Sequence, residues 1–245
     1  MTRIHVASSV DALGLDAAEM FVQVAAAAVH SRGRCTVALS GGSTPRGLYR
    51  VLAHRIPVRD RVPWSRIEFF WTDERHVPPE HPESNYRMAY DAMLSAAPVR
   101  LEQIHRIKTE QADAAAVARN YEDEIRATFE DEQMPRFDVI LLGLGADGHM
   151  ASLFPGTPAL RESGRLCVEN WVPALGAYRI TMTLPLLNHA RAVVVLVSGS
   201  DKSAIVRQVL RRTSGDEFPA HLLQPAGEIV WMLDRAAASG LLEVS

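Results

Sequence analysis

"VILLGLGADGHM", residues 139–150, admits two folds, and the residues after it choose between them. Gly143, Gly145 and Gly148 spell G-x-G-x-x-G after an apolar run, the spacing of a dinucleotide-binding turn. That reading needs the third glycine to open a crossover helix, then a second strand ending in an acid, and Glu169 lies at a suitable distance. The segment that follows is "MASLFPGTPALRESG", where Pro155, Gly156 and Pro158 stop a helix after barely a turn. No crossover helix fits between Gly148 and Leu166, so no dinucleotide cofactor is expected. The loop instead presents side chains: His149, a ready base near neutrality, and Asp147, close enough to orient it.

Working outward, short runs rich in β-branched and aromatic residues recur: "CTVALS", "IEFFWT", "FDVILLGL", "RITMTL", "AVVVLVS" and "EIVWML". Most are continuously apolar, as strands buried on both faces of a parallel sheet are. Between them lie helical patterns over residues 11–31, 84–97, 111–132 and 200–214, with Ser84 as an N-cap. The alternation predicts an α/β protein: an open, mostly parallel, doubly wound, Rossmann-like sheet with helices on both faces. Neither a repeat nor a linker interrupts it, so residues 1–245 are read as a single domain.

In such a sheet the carboxyl ends of the strands share one edge, where ligands bind. "CTVALS" runs into Gly41-Gly42-Ser43-Thr44-Pro45, "IEFFWT" into Asp73-Glu74-Arg75-His76, and "AVVVLVSG" into Ser200-Asp201-Lys202. These ends are predicted to meet the His149 loop in one cleft. Gly41 and Gly42 let backbone approach a ligand, Ser43 or Thr44 is a natural N-cap, and Pro45 suits the first helical position. The helix start would bind an anion, although the loop lacks Walker spacing. Arg75, Lys202 and Arg179 supply positive charge for an anion or a developing oxyanion.

Other chemistries are disfavoured. His76, Glu80 and His81 in "HVPPEH" are split by prolines and have no further ligand in view, so no metal is expected. Ser152 has no nucleophile-elbow context. A net charge of -3 without a basic run gives no case for nucleic acid. The apolar stretches are read as too short for a membrane span, and "MTRIHVASSVDALGL" lacks secretory features, so the expected location is cytoplasmic. Cys35 and Cys167 are read as two separate thiols.

Four segments, "LSGGSTP", "WTDERHVPPEHPESNYRM", "LLGLGADGHMASLFPGTPAL" and "LVSGSDKSAIVRQVL", resemble in order and spacing the signature segments of the 6-phosphogluconolactonase family. The resemblance runs from about Thr36 to the last strand pattern. It implies hydrolysis of 6-phosphoglucono-1,5-lactone to 6-phosphogluconate in the pentose phosphate pathway, without metal or cofactor. Gly41, Gly42, Ser43, Thr44, Arg179 and Lys202 would hold the phosphate of this small-molecule partner. His149 would act as base with Asp147 behind it, Arg75 would stabilise charge, and Asp73 would bind sugar hydroxyls or fix Arg75. The superfamily also contains glucosamine-6-phosphate deaminase/isomerase. That relative calls for Asp-Glu-Tyr where Asp73-Glu74-Arg75 stands, and for an acid near Leu153 and Phe154, so the lactonase is preferred. A sugar-phosphate sensor without catalysis is the third reading, and the retained His149, Asp147 and Arg75 speak against it.

Overall fold

The computed structural model describes residues 2–130, 133–212 and 218–242. Its strands are β1 (Thr2–Ala7), β2 (Cys35–Leu39), β3 (Ile67–Trp71), β4 (Asp73–Arg75), β5 (Val139–Leu142), β6 (Cys167–Val172), β7 (Ala177–Met182), β8 (Ala192–Val197) and β9 (Glu228–Asp234). Its α-helices are α1 (Val10–Arg32), α2 (Ser43–His54), α3 (Ile56–Arg59), α4 (Asn85–Ala89), α5 (Ala114–Thr128), α6 (Leu184–His189), α7 (Ser203–Arg211) and α8 (Ser239–Leu242).

Six strands form one parallel sheet in the order β1-β9-β8-β5-β2-β3. The central runs β2, β5 and β8 are buried at every residue, which explains their unbroken apolar sequence. Helices flank this sheet, as the alternating pattern predicts. "RITMTL" departs from expectation. It lies in β7, the centre of a separate antiparallel sheet ordered β4-β7-β6. A strand that pairs antiparallel looks the same as one in a parallel sheet when its apolar residues are contiguous. The edge strand β1 carries no such signal, because most of its residues are exposed.

Two helices differ from their sequence patterns. The 84–97 segment keeps its Ser84 cap but is α-helical only over α4, and then continues with i→i+5 bonding over Tyr90–Leu94. α5 begins after Asp113, whose side chain accepts from the Ala115 amide. Asp131, Glu132, Thr213 and Ser214, at the ends of two expected helices, lie outside the described residues.

α1 corrects the expectation about membranes, since by length and composition it could cross one. Here Leu13, Ala17, Phe21 and Ala25 are buried in the core it shares with the parallel sheet. Its outer side carries Asp16 and Glu19, paired with His5 and Arg61. Cys35 and Cys167 are both buried free thiols.

The neck of the sheet is tied by Asp138, buried one residue before β5. Its carboxylate accepts from the Thr36 amide at 2.8 Å, the Thr36 hydroxyl at 3.1 Å and Arg32 Nε at 2.8 Å, joining α1, β2 and β5. Asp138→Ala strands the buried Thr36 amide and the arginine, so unfolding free energy should fall by about 2–4 kcal/mol. A lower urea midpoint at unchanged m-value would report it; an unchanged midpoint would mean the tie carries no stability.

Candidate functional site

The carboxyl ends of β2, β3, β5 and β8 open onto one rim, where a cavity of about 400 Å³ lies. Gly41, Gly42, Asp73, Arg75, His149, Arg179 and Lys202 line it, so residues from five separate segments meet there. Ser43, Thr44 and Asp147 adjoin these residues in sequence but are not themselves part of the lining.

The β2–α2 turn is built for close approach. Gly42 has φ 105°, and Gly41 faces the Asn85 amide so tightly that a Cβ would overlap it. The sequence expectation for the helix cap is corrected: α2 starts at Ser43, Gly42 is its cap, and no side chain caps it. The Thr44 hydroxyl is instead engaged with Ser198 Oγ at 2.8 Å, linking the β2 and β8 ends. Pro45 takes the third position of the helix and not the expected first, because the helix already starts at Ser43; it is still within the turn where no N–H is required. The first-turn amides of α2 therefore have neither an intrahelical nor a side-chain partner, which is the state that favours an anion.

Next to this turn, at the end of β5, lies the 143–150 loop. Gly148, at φ 76°, closes a turn in which its amide donates to the Gly145 carbonyl at 3.0 Å, and the Gly145 amide donates to the His149 carbonyl at 2.9 Å. His149 Nδ1 lies 2.5 Å from Asp147 Oδ1, and the His149 amide donates to the same oxygen at 3.2 Å. Partial burial opposes ionisation of Asp147, but the charge of His149 and the hydrogen bonds from its ring and amide outweigh it. The carboxyl is held below the usual aspartate range. In the neutral imidazole, an ionised Asp147 favours the tautomer with the proton on Nδ1, in which Nε2 is the acceptor.

Arg75 on β4 pairs directly with Arg179 on the antiparallel neighbour β7. Burial, followed by the charge of Arg75, pulls Arg179 below the ordinary arginine range. Like charges facing each other across two strands are unfavourable unless an anion sits between them. The Arg75 guanidinium also donates to the Glu83 carbonyl. Lys202 ends a short 3₁₀ turn after β8.

Asp73 is buried; its carboxylate accepts from Ser152 Oγ at 2.7 Å and Thr72 Oγ1 at 3.1 Å, so its hydrogen bonds go to hydroxyls and not to the Arg75 side chain. Ser152 thus donates to Asp73, and no hydrogen bond joins it to His149. His76 meets the Gln111 carbonyl, while His81 turns to Glu83.

Three residues to which the sequence assigns no role have defined partners here. Glu74 is buried and accepts from the amides of Arg75, Asn85 and Tyr86 at 2.7–2.8 Å and from Ser84 Oγ at 3.0 Å. Burial pushes its carboxyl up, against the pull of those amides. Asn85 donates to the Asp73 carbonyl at 2.8 Å and lines the cavity. Phe154 stacks on the His149 ring. The Ser84 cap was the available signal for Glu74, since a helix N-terminus calls for an acid.

A family model described as glucosamine-6-phosphate isomerases/6-phosphogluconolactonase matches residues 8–231. The chain is 43% identical over 217 residues to a 6-phosphogluconolactonase of Synechocystis sp., covering 87% of this chain and 88% of that protein. It is 36% identical over 248 residues to the chloroplastic 6-phosphogluconolactonase 3 of Arabidopsis thaliana, covering 98% of this chain and 75% of that one. The solved 6-phosphogluconolactonase of Trypanosoma cruzi superposes with a TM-score of 0.87 at 29% identity, covering 98% and 97% of the two chains.

Gly41→Ala places a methyl group where the Asn85 amide lies. The variant should lose about 1–3 kcal/mol of stability and much of the stabilisation that added phosphate confers on the wild type. Thermal melts with and without phosphate measure both effects; equal phosphate protection in the two proteins would remove this turn from the anion site.

Proposed function

Since the chain belongs to the glucosamine-6-phosphate isomerase/6-phosphogluconolactonase family, we propose that it hydrolyses 6-phosphoglucono-1,5-lactone to 6-phosphogluconate in the cytoplasm. The observation that carries the mechanism is the imidazole of His149, tied at Nδ1 to Asp147 and lining a cavity shared with Arg75 and Arg179.

The phosphate sits against Gly41, Gly42 and the first-turn amides of Ser43 and Thr44, with Arg179 and Lys202 completing its charge neutralisation. Thr44 contributes its backbone, because its hydroxyl is engaged with Ser198. That anchoring leaves the lactone ring over the His149 loop. His149 Nε2 takes a proton from water as the water oxygen bonds to the lactone carbonyl carbon. Arg75 lies where negative charge grows on the carbonyl oxygen. As the tetrahedral intermediate collapses, the ring C–O bond breaks and the imidazolium returns its proton to the departing ring oxygen. Asp147, ionised throughout, steadies the imidazolium between these steps. Asp73 and its Ser152 partner supply polar groups on the wall that a sugar hydroxyl meets.

One positioned base accelerates proton transfer by about 10²–10⁴-fold, enough for a lactone that already hydrolyses in water. His149→Ala should therefore lower kcat by about 10²–10⁴-fold with little change in KM, followed as disappearance of freshly generated lactone. Turnover equal to wild type would refute the base assignment. Arg179→Ala or Lys202→Ala should raise KM by about 10–100-fold, the worth of a charge-assisted contact, and leave kcat closer to wild type. An unchanged KM would exclude that residue from the phosphate pocket.

A further inference from the structure

Three groups restrain the His149 imidazole, and the third has no part in the chemistry above. Asp147 holds Nδ1, and Gly145 passes so near that a Cβ there would overlap Nδ1 and Cε1. The remaining group is Phe154, whose ring centroid lies 4.0 Å from that of the imidazole with the planes 27° apart. Phe154 also lines the cavity.

The first two restraints belong to the same glycine-rich turn as His149, so they move with it. The Asp147 side chain is itself 47% exposed. Phe154 is anchored elsewhere. Its carbonyl accepts from the Thr157 hydroxyl at 2.8 Å and the Thr157 amide at 3.2 Å. The Thr157 hydroxyl accepts from Asn170 Nδ2 at 3.1 Å, and Asn170 is a buried residue of β6 that also donates to the Ser152 carbonyl at 2.8 Å. A chain of contacts thus runs from the small antiparallel sheet through Asn170, Thr157 and Phe154 to the imidazole face. That sheet also carries Arg75 and Arg179.

We propose that Phe154 is a positioning residue for His149: its stacked ring references the imidazole to the small sheet, so that Nε2 and the two arginines keep one geometry. This inference rests on the reading of His149 as the base. A histidine has a broad, soft second side-chain torsion, and a single hydrogen bond within its own turn leaves the ring free to swing with that turn. A flat partner on the ring face removes this freedom, and an aromatic face also favours the imidazolium that forms during turnover. An aliphatic side chain of similar volume fills the space but provides no plane to stack on.

The test compares Phe154→Leu, Phe154→Met and Phe154→Tyr, alone and in the His149→Ala background. The aliphatic variants should lose about tenfold or more in kcat with KM within about twofold, while Phe154→Tyr should stay within about threefold of wild type. In the His149→Ala background Phe154→Leu should change the residual rate little, because the residue acts through the imidazole. In NMR spectra the His149 ring proton on Cε1 should show a ring-current shift that Phe154→Leu abolishes and Phe154→Tyr retains. Wild-type kcat in both aliphatic variants, an equal loss with and without His149, or a missing ring-current shift would each overturn the proposal. If the wild-type protein turned over no lactone, the functional reading would fail instead, and the ring-current measurement would still decide the stacking.

Discussion

The site depends on parallel pairing. β2, β5 and β8 run side by side in one direction, with Ala38 level with Ile140 and Ile140 level with Val193, so their carboxyl ends cannot avoid sharing a rim. Each strand then releases its chain at the same height. The Gly41 turn, the His149 loop and the Lys202 turn are neighbours for that reason, although more than 150 residues separate the first from the last. Any slip of register would turn side chains to the other face, and complete burial of these strands opposes it. Asp138 and the Thr44–Ser198 contact tie the strands at their two ends.

On that rim the protein holds unfavourable electrostatics in place. Arg75 faces Arg179, and the first turn of α2 offers amides with no protein partner. Both arrangements cost stability in the free protein and both are relieved by an anion. Buried Glu74 supports the arrangement. Its carboxylate collects the amide of Arg75 and the first amides of α4, fixing the arginine segment to the helix that supplies Asn85. The His149 loop is nearly neutral by comparison, with one acid–imidazole pair beside an aromatic ring. Paired arginines, free helix amides and one oriented imidazole thus share a single cavity.

The small sheet gives the site its third dimension. A parallel sheet alone presents its loops along a line. β4, β7 and β6 form a second sheet that brings Arg75, Arg179 and, through Asn170 and Thr157, Phe154 to the same cavity. "RITMTL" was legible as a strand because its composition is that of a strand. Its antiparallel partners were not legible, since three-residue β4 and half-polar β6 have no pattern that a window of apolar periodicity detects.

What the chain settles locally, its sequence reveals: the unbroken apolar runs that must be buried, the glycines at Gly41, Gly42 and Gly148 where backbone must turn tightly, and the prolines after His149 that forbid a crossover helix. From these follow the doubly wound sheet and the convergence of the loops. Distances between side chains are set by packing across the whole molecule. Only the tertiary structure puts Arg75 opposite Arg179, aims Ser152 at Asp73, moves the cap of α2 from Ser43 to Gly42 and stacks Phe154 on His149. The physical reason is range: torsional preferences and hydrophobic periodicity act within a few residues, whereas a hydrogen bond or a stacked ring forms only after distant segments have been brought together by burial.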